Sequence, residues 1–188
     1  HLLMTKSDQL SVLSRIDGLT GLYNRRYFDE CLDLEWKKTS RLQKSPTAII
    51  CDIDYFKKIN DQHGHQAGDE FLRQMATLLK TIFKRDTDVV ARFGGEEFIV
   101  LLTDTGPGQA FDLAEELRRR MATMQMPHKG TDIAATISIG IASASPGSSE
   151  SRDALIARAD EALYQAKREG RNRTIVAPDS GPSARSSA

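Results

Sequence analysis

The segment that most constrains the fold is residues 92–98, Arg-Phe-Gly-Gly-Glu-Glu-Phe, which lies between two short apolar runs. Two such runs joined by Gly94-Gly95 predict a β-hairpin with the glycines as its two-residue turn. Glycine accepts positive φ and carries no side chain, so a charged ligand can approach the backbone closely at Gly95. Side chains alternate along a strand, so we expect Glu96 and Glu97 to lie on opposite faces. Burying these carboxylates requires a cation or hydrogen-bond donors.

Hydrophobic periodicity assigns most of the remaining chain to alternating helices and strands. Residues 133–142 alternate large and small side chains with period two, which predicts one strand with helices on its isoleucine face. Residues 109–124 place Phe111 on an apolar helical stripe. The predicted order of elements is α-β-α-ββ-α-β-α-β, an α/β sandwich. The predicted helices cover 26–42, 68–84, 109–124 and 154–169, and the strands beside the hairpin cover 47–53, 133–142 and 174–176.

The charge balance limits the possible partners. The 188 residues contain 26 Lys and Arg against 26 Asp and Glu, so no global basic field attracts nucleic acid. The apolar runs are too short to span a bilayer and no signal-peptide pattern opens the chain, which favours a cytoplasmic protein. Residues 1–16 are expected to form a helical stalk or linker, and the Ser/Pro/Gly-rich residues 177–188 a disordered tail. One folded domain at 17–176 remains.

Acidic side chains end the first apolar strand, at Asp52 and Asp54. Carboxylates at a strand end can bind a hard cation, although an acidic pair that merely faces water explains the same residues. Glu96 changes this balance, because a second acidic group beside a loop could share a pair of magnesium ions with the first. Such a pair supports phosphoryl transfer to a ribose hydroxyl.

The residues after this strand offer groups for a nucleotide. We predict a turn at 55–61 whose backbone N–H groups and Lys57 face phosphate, or else a solvated basic turn with Phe56 in the core. Asn60 and Asp69 together match the donor and acceptor edge of guanine. Asp69 could equally stabilise the start of a helix, and His65 could be a loop or capping residue.

Two further groups remain open on residue chemistry alone. Lys167 and Arg171 stand at the end of the last helix, where cations complement the helix dipole and could also reach phosphate. Arg85 and Asp88 occupy a short loop before the hairpin, where a surface ion pair contributes little stability.

Six motifs, found in this order, resemble the GGDEF-domain diguanylate cyclase family in its GGEEF variant. The resemblance covers about residues 15–176 and includes the segments at 17–26, 52–61, 64–69, 92–98, 136–140 and 159–172. It implies a central, mostly antiparallel sheet flanked by helices, like the palm of polymerases and class III nucleotidyl cyclases. It also implies that two GTP molecules are condensed into cyclic di-GMP with release of two pyrophosphates.

The resemblance also implies roles for individual residues. Asp52, the carbonyl of Ile53 and Glu96 would bind two Mg²⁺ or Mn²⁺ ions, with Glu97 assisting. Which glutamate takes the hydroxyl proton stays open. The other matching positions would contact GTP: Lys57, the Phe56 backbone, Lys167 and Arg171 at the phosphates, and Asn60, Asp69 and nearby His65 at guanine.

Regulation follows from the same resemblance. Arg85 and Asp88 match the family's RxxD product-inhibition motif, which would bind cyclic di-GMP. The family's second arginine for that site aligns with Glu116, so this sequence has a glutamate where the resemblance calls for an arginine. Each active site holds one GTP, so catalysis would require a homodimer, and an upstream sensor or receiver domain is expected to be missing from this chain. A nucleotide receptor without activity and a structural dimerisation module are the alternatives; the former usually lacks the metal or guanine residues, and the latter leaves the acidic turn unexplained.

Overall fold

The computed structural model describes residues 14–42 and 45–180, which form one mixed sheet, a small separate hairpin and helices on both sheet faces. The elements run in the order β1 (Tyr23–Asn24), α1 (Arg25–Leu42), β2 (Thr47–Ile53), α2 (Phe56–His63), α3 (His65–Ile82), β3 (Val89–Gly94), β4 (Glu97–Leu102), α4 (Pro107–Thr123), β5 (Met126–His128), β6 (Thr131–Ile133), β7 (Ile137–Ser143), α5 (Arg152–Arg168) and β8 (Thr174–Val176).

The six-stranded sheet has the order β1-β3-β4-β2-β7-β8. Its three central pairs are antiparallel, and β1 and β8 join the edges as parallel strands. The predicted α/β class with a mostly antiparallel central sheet is therefore confirmed. None of the helices described in this structure combines the length and apolar character that a membrane span requires.

Strand β2 lies in the middle of the sheet, and all seven of its residues are buried. Its side chains alternate between two apolar clusters: Ile49 and Ile53 belong to the one that includes α2, α3 and α4, and Ile50 belongs to the one that includes α1 and α5. This central position holds the end of β2 rigidly between two helical layers.

Strand β7 differs from the prediction in two ways. The expected single strand at 133–142 is wrong: Ile133 ends β6, and β7 begins only at Ile137. Helices also pack on both faces, because Gly140 leaves room for α5; a Cβ there would overlap the backbone of Ala159 and Leu163. Phe111 is a further correction, since it is 38 % exposed and Ala110 takes the buried position.

The hairpin is shifted by one residue from the predicted turn. Gly94 pairs with Glu97, so the turn consists of Gly95 and Glu96 rather than Gly94-Gly95. An irregular register between Arg92 and Gly94 uses one extra residue on β3, which explains the shift. Glu96 therefore lies in the turn and does not share strand β4 with Glu97, contrary to expectation.

Residues 55–61 do not form a turn as predicted. Helix α2 covers Phe56–His63 and begins directly after Tyr55, which has left-handed backbone angles, φ 56° and ψ 32°. The predicted stalk and tail fall largely on residues 1–13 and 181–188, outside the described residues.

Candidate active site

The centre of the site is a buried ion pair at the end of β2. Asp52 is 7 % exposed, and the ammonium group of Lys167 on α5 donates to its Oδ2 at 2.6 Å. Burial raises the pKa of Asp52; Lys167 opposes the rise, and the nearby carboxylates of Glu96 and Asp54 add to it. Asp52 is thus a buried carboxylate with one cationic partner and two further carboxylates nearby.

The β3–β4 hairpin brings its glutamates to the same strand end. Glu97 is the register partner of Asp52, and the backbone N–H of Ile53 donates to the carbonyl of Glu96 at 3.4 Å. The left-handed φ of Gly95, 50°, permits the tight turn between these contacts. Asp52, Ile53, Glu96 and Glu97 are therefore neighbours, although their two segments are far apart in sequence.

Glu97 contributes to the acidity of this strand end. Burial raises its pKa, and the carboxylates of Asp160 and Asp52 add to the rise. Lys167 and Arg25 oppose it. The side chain lines a cavity of about 430 Å³ between α1 and α5.

The oxygen atoms of these residues could together act as ligands of a divalent cation. Carboxylate and carbonyl oxygens are the donors that Mg²⁺ prefers, and a single lysine does not balance the carboxylates around Asp52. Among the described residues, no three Asp, Glu, His or Cys side chains cluster closely enough to hold an ion by themselves. Mg²⁺ at nucleotide sites is usually held by one or two carboxylates together with substrate phosphates, which matches this incomplete set.

Asp54 has a different role from the cation-binding one considered for it. Its carboxylate accepts hydrogen bonds from the hydroxyl of Thr136 at 2.6 Å, the hydroxyl of Ser138 at 2.7 Å and the backbone N–H of Asn172 at 3.1 Å. These bonds join the end of β2 to β7 and to the loop between α5 and β8. Sequence alone could not assign this role, because all three donors lie more than 80 residues away.

The predicted guanine residues lie at the junction of α2 and α3. The amide oxygen of Asn60 packs against Gly68 so closely that a Cβ there would overlap it. Asp69, the next residue, is half-buried, while His65 is exposed at the first position of α3. The structure thus brings the Asn60 side chain next to Gly68 on α3, the residue directly before Asp69.

The predicted phosphate-binding residues lie at the start of α2, at the end of α5 and just beyond α5. Phe56 begins α2 with its side chain in the core, and Lys57 is exposed beside it. Arg171 follows α5 and does not contact Asp52 in the way Lys167 does. Its guanidinium group lies over the ring of Tyr55, with its carbon 4.5 Å from the ring centroid.

Arg85 and Asp88 form a turn at the other end of β3. The Asp88 carboxylate accepts the backbone N–H of Arg85 at 3.1 Å, and the Arg85 guanidinium donates to the hydroxyl of Thr105 at 3.3 Å. The expected ion pair is thus replaced by a carboxylate–backbone bond. Six residues of strand separate this turn from the hairpin, a distance of about 20 Å. Glu116 stands where the resemblance places the second arginine of the product-inhibition site. Its carboxylate forms an ion pair with Arg120.

Sequence reasoning assigned no role to the pair of Asp17 and Arg92. Arg92 donates from Nη1 to Asp17 at 3.3 Å and from Nε to the carbonyl of Gly95 at 2.9 Å. Burial favours the protonated form of Asp17, but hydrogen bonds from Thr20 and the Arg92 guanidinium outweigh it and lower the pKa. Arg92 therefore connects the turn before β1 to the β3–β4 hairpin. Its position inside the 92–98 motif was the only sign of this role in the sequence.

Comparison with known proteins agrees with this geometry. The family model described as "Diguanylate cyclase, GGDEF domain" matches residues 14–173. The response regulator PleD of Caulobacter vibrioides is 42 % identical over 165 residues, which are 87 % of this chain and 36 % of PleD. This chain therefore spans about a third of that relative.

Solved structures agree as well. The coiled coil and GGDEF domain of DgcB from Caulobacter crescentus, in complex with c-di-GMP, superposes with a TM-score of 0.83 at 33 % identity and covers 91 % of this chain and 90 % of that one. The active GGEEF domain of a diguanylate cyclase from Vibrio cholerae gives 0.76 at 36 % identity, covering 82 % and 97 %. The chain belongs to the GGDEF diguanylate cyclase family.

Proposed function

We propose that this domain condenses two GTP molecules into cyclic di-GMP and two pyrophosphates. The observation that carries this proposal is the buried, acid-rich end of β2, where Asp52 pairs with Lys167 and lies beside the glutamates of the hairpin. Family membership and the neighbouring Asn60 and Asp69 support guanine as the base. The domain boundaries of 17–176 are part of the same proposal.

In each half-reaction, the ribose 3′-oxygen of one GTP bonds to the α-phosphorus of the other. The bond from that phosphorus to its bridging oxygen breaks, pyrophosphate leaves with the electron pair, and the hydroxyl proton is lost to a base or to water. Two Mg²⁺ or Mn²⁺ ions, held by Asp52, the Ile53 carbonyl and Glu96 with help from Glu97, would lower the hydroxyl pKa and neutralise phosphate charge.

The chain's own residues perform the remaining steps. Lys57 stabilises charge on the reacting phosphate, and Lys167, Arg171 and the backbone at Phe56 orient the triphosphate. Asn60 and Asp69 select guanine, with His65 nearby, because adenine lacks the donors that an aspartate accepts. Gly95 lets the substrate pass close to the hairpin backbone.

Two molecules of this domain face each other during the reaction. A single site holds one GTP, so two-fold symmetry supplies the second nucleotide and makes both new bonds equivalent. A sensor or receiver domain upstream of this chain would bring the two domains together and control the reaction.

The direct test is GTP turnover with Mg²⁺, with the product identified by mass spectrometry. We expect cyclic di-GMP and pyrophosphate in a 1:2 ratio from the wild-type protein, and none from Glu96→Ala. Glu161→Ala, which removes an exposed acid in the middle of α5, is the matched control and should retain activity. A folded wild-type protein that binds GTP but yields no product would instead support a receptor.

We further propose that cyclic di-GMP inhibits the enzyme at Arg85 and Asp88. Arg85 is an exposed residue whose guanidinium can stack on guanine or bind phosphate, while Asp88 fixes the turn through its bond to the Arg85 backbone. Arg85→Ala should remove product inhibition while leaving the initial rate unchanged, measured with added cyclic di-GMP. Inhibition of the same strength in this variant would exclude the site.

A further inference from the structure

Tyr55 combines two features that fold stability does not explain. It has left-handed backbone angles, φ 56° and ψ 32°, which are strained for any residue with a Cβ. The residue is also 62 % exposed, so little apolar burial compensates for the strain. Strained residues that persist without a packing reason often serve a site.

The contacts of the Tyr55 ring are with cations. The guanidinium carbon of Arg171 lies 4.5 Å from the ring centroid, and Arg171 Nη1 donates to the phenol oxygen at 3.3 Å. Lys58 Nζ lies 5.9 Å from the same centroid. Arg171 itself has a left-handed φ of 64°, so two strained residues meet at this contact.

The backbone around the contact is anchored independently of it. Asp54, directly before Tyr55, accepts the backbone N–H of Asn172, directly after Arg171. Asn172 is held a second time, because Arg118 donates to its side-chain oxygen at 2.9 Å. The backbone of this loop therefore has anchors other than Tyr55, and the Tyr55 ring contacts the side chain of Arg171.

We propose that Tyr55 is a positioning residue that holds the Arg171 guanidinium ready for the outer phosphates of GTP. Arginine loses much rotamer freedom when it binds a ligand, and a side chain already stacked on a ring loses less. Apart from the N–H of Nη1 that meets the phenol oxygen, stacking on the aromatic face leaves the N–H groups at the edge of the guanidinium plane available to phosphate oxygens. This inference rests on the proposed function, since it assigns the ligand of Arg171.

Three substitutions separate the ring, the hydroxyl and the backbone. Tyr55→Ala should raise the KM for GTP about two- to fivefold, the range of an exposed cation–π contact, with kcat nearly unchanged. Tyr55→Phe keeps the ring and should stay within about twofold of wild type. Tyr55→Gly adopts the same φ without strain and should match Tyr55→Ala, which excludes backbone damage as the cause.

Calorimetric titration of the protein with GTP or GMP, in the presence of Ca²⁺, measures binding without depending on turnover. Tyr55→Ala should weaken binding of GTP but leave binding of GMP unchanged, because GMP lacks the outer phosphates. In an Arg171→Ala background, Tyr55→Ala should have no further effect on GTP affinity. Equal loss for GTP and GMP, or additive loss in the double variant, would overturn the proposal, as would unchanged affinity in Tyr55→Ala. A wild-type protein that binds GTP without turnover would contradict the proposed function while leaving this test valid.

Discussion

Asp52 and Asp54 are two residues apart and almost equally buried, at 7 % and 4 % exposure, but their surroundings differ completely. Asp54 accepts hydrogen bonds from two hydroxyls and one backbone N–H. Asp52 has one lysine, and the carboxylates of Glu96 and Asp54 act against its charge. The carboxylate of Asp54 is satisfied by uncharged donors, whereas the carboxylate of Asp52 has a single cationic partner and two other carboxylates nearby.

The difference shows how a buried acid can be assigned to structure or to function. A carboxylate whose acceptor capacity is used by neutral donors has little to offer a ligand. A carboxylate that is buried among other acids is costly to the fold and gains most from a cation. Asp54 therefore positions the loop after α5, and Asp52 is the candidate ligand.

The largest expected effect is on catalysis at Asp52. Asp52→Asn should reduce cyclic di-GMP formation by about 10³-fold or more, because the amide removes the negative charge that a metal requires. Asp54→Asn is the matched change two residues away and should lose far less activity. Rates are measured at saturating GTP and Mg²⁺ on protein with native circular dichroism. Similar losses of activity in both variants would contradict the assignment of Asp52 as the metal ligand and Asp54 as a structural residue.

The next largest effect is on stability at Asp54. Asp54→Ala should lower the free energy of unfolding by about 3 kcal/mol, because the Ser138 hydroxyl is fully buried and loses its acceptor together with Thr136 and the Asn172 amide. Urea denaturation gives this value. An unchanged free energy would mean that water or another acceptor replaces the carboxylate.

Much of the fold could be predicted from the sequence because periodicity reports burial directly. The buried run at 47–53 and the helical stripes gave the central strand and most helices, since their spacing reflects two different backbone repeats. The prediction failed where a tertiary contact decides the local backbone. Residues 134–136 continue the alternating pattern of β7, but Thr136 bonds to Asp54 and lies outside the strand.

The candidate site was predicted in composition more fully than in geometry. Asp52, Glu96 and Lys167 belong to motifs that can be recognised in the sequence. The position of Glu96 in the turn, however, depends on the register shift between Arg92 and Gly94 on β3, which the sequence pattern did not predict. The left-handed backbone conformation of Tyr55 could not be predicted from the sequence either, because tyrosine rarely adopts these angles. The partners that distinguish Asp54 from Asp52 are remote in sequence and become visible only once the chain is folded.

The smallest effect is the most direct test of the charge argument, because it concerns stability at a candidate metal ligand. Burial raises the pKa of Asp52 above its ordinary value of 3.8, so ionised Asp52 disfavours the folded state at neutral pH. This cost is complete above the raised pKa, shrinks as the pH falls through it, and is absent below 3.8. Asp52→Asn removes the charge at every pH, and Lys167, which is 33 % exposed in its side chain, can be hydrated instead.

The Asp52→Asn variant should therefore be more stable than wild type at pH 7, by about 0.5–2 kcal/mol in the free energy of unfolding, and should unfold at a higher temperature. This difference in stability should shrink as the pH falls toward 4. Asp54→Asn should show the opposite sign at pH 7, since it disturbs a satisfied carboxylate. Thermal melts of both variants between pH 4 and 7 show whether each substitution raises or lowers the stability of the protein. A destabilised Asp52→Asn would mean that the ion pair with Lys167 outweighs burial, and that Asp52 supports the fold as Asp54 does.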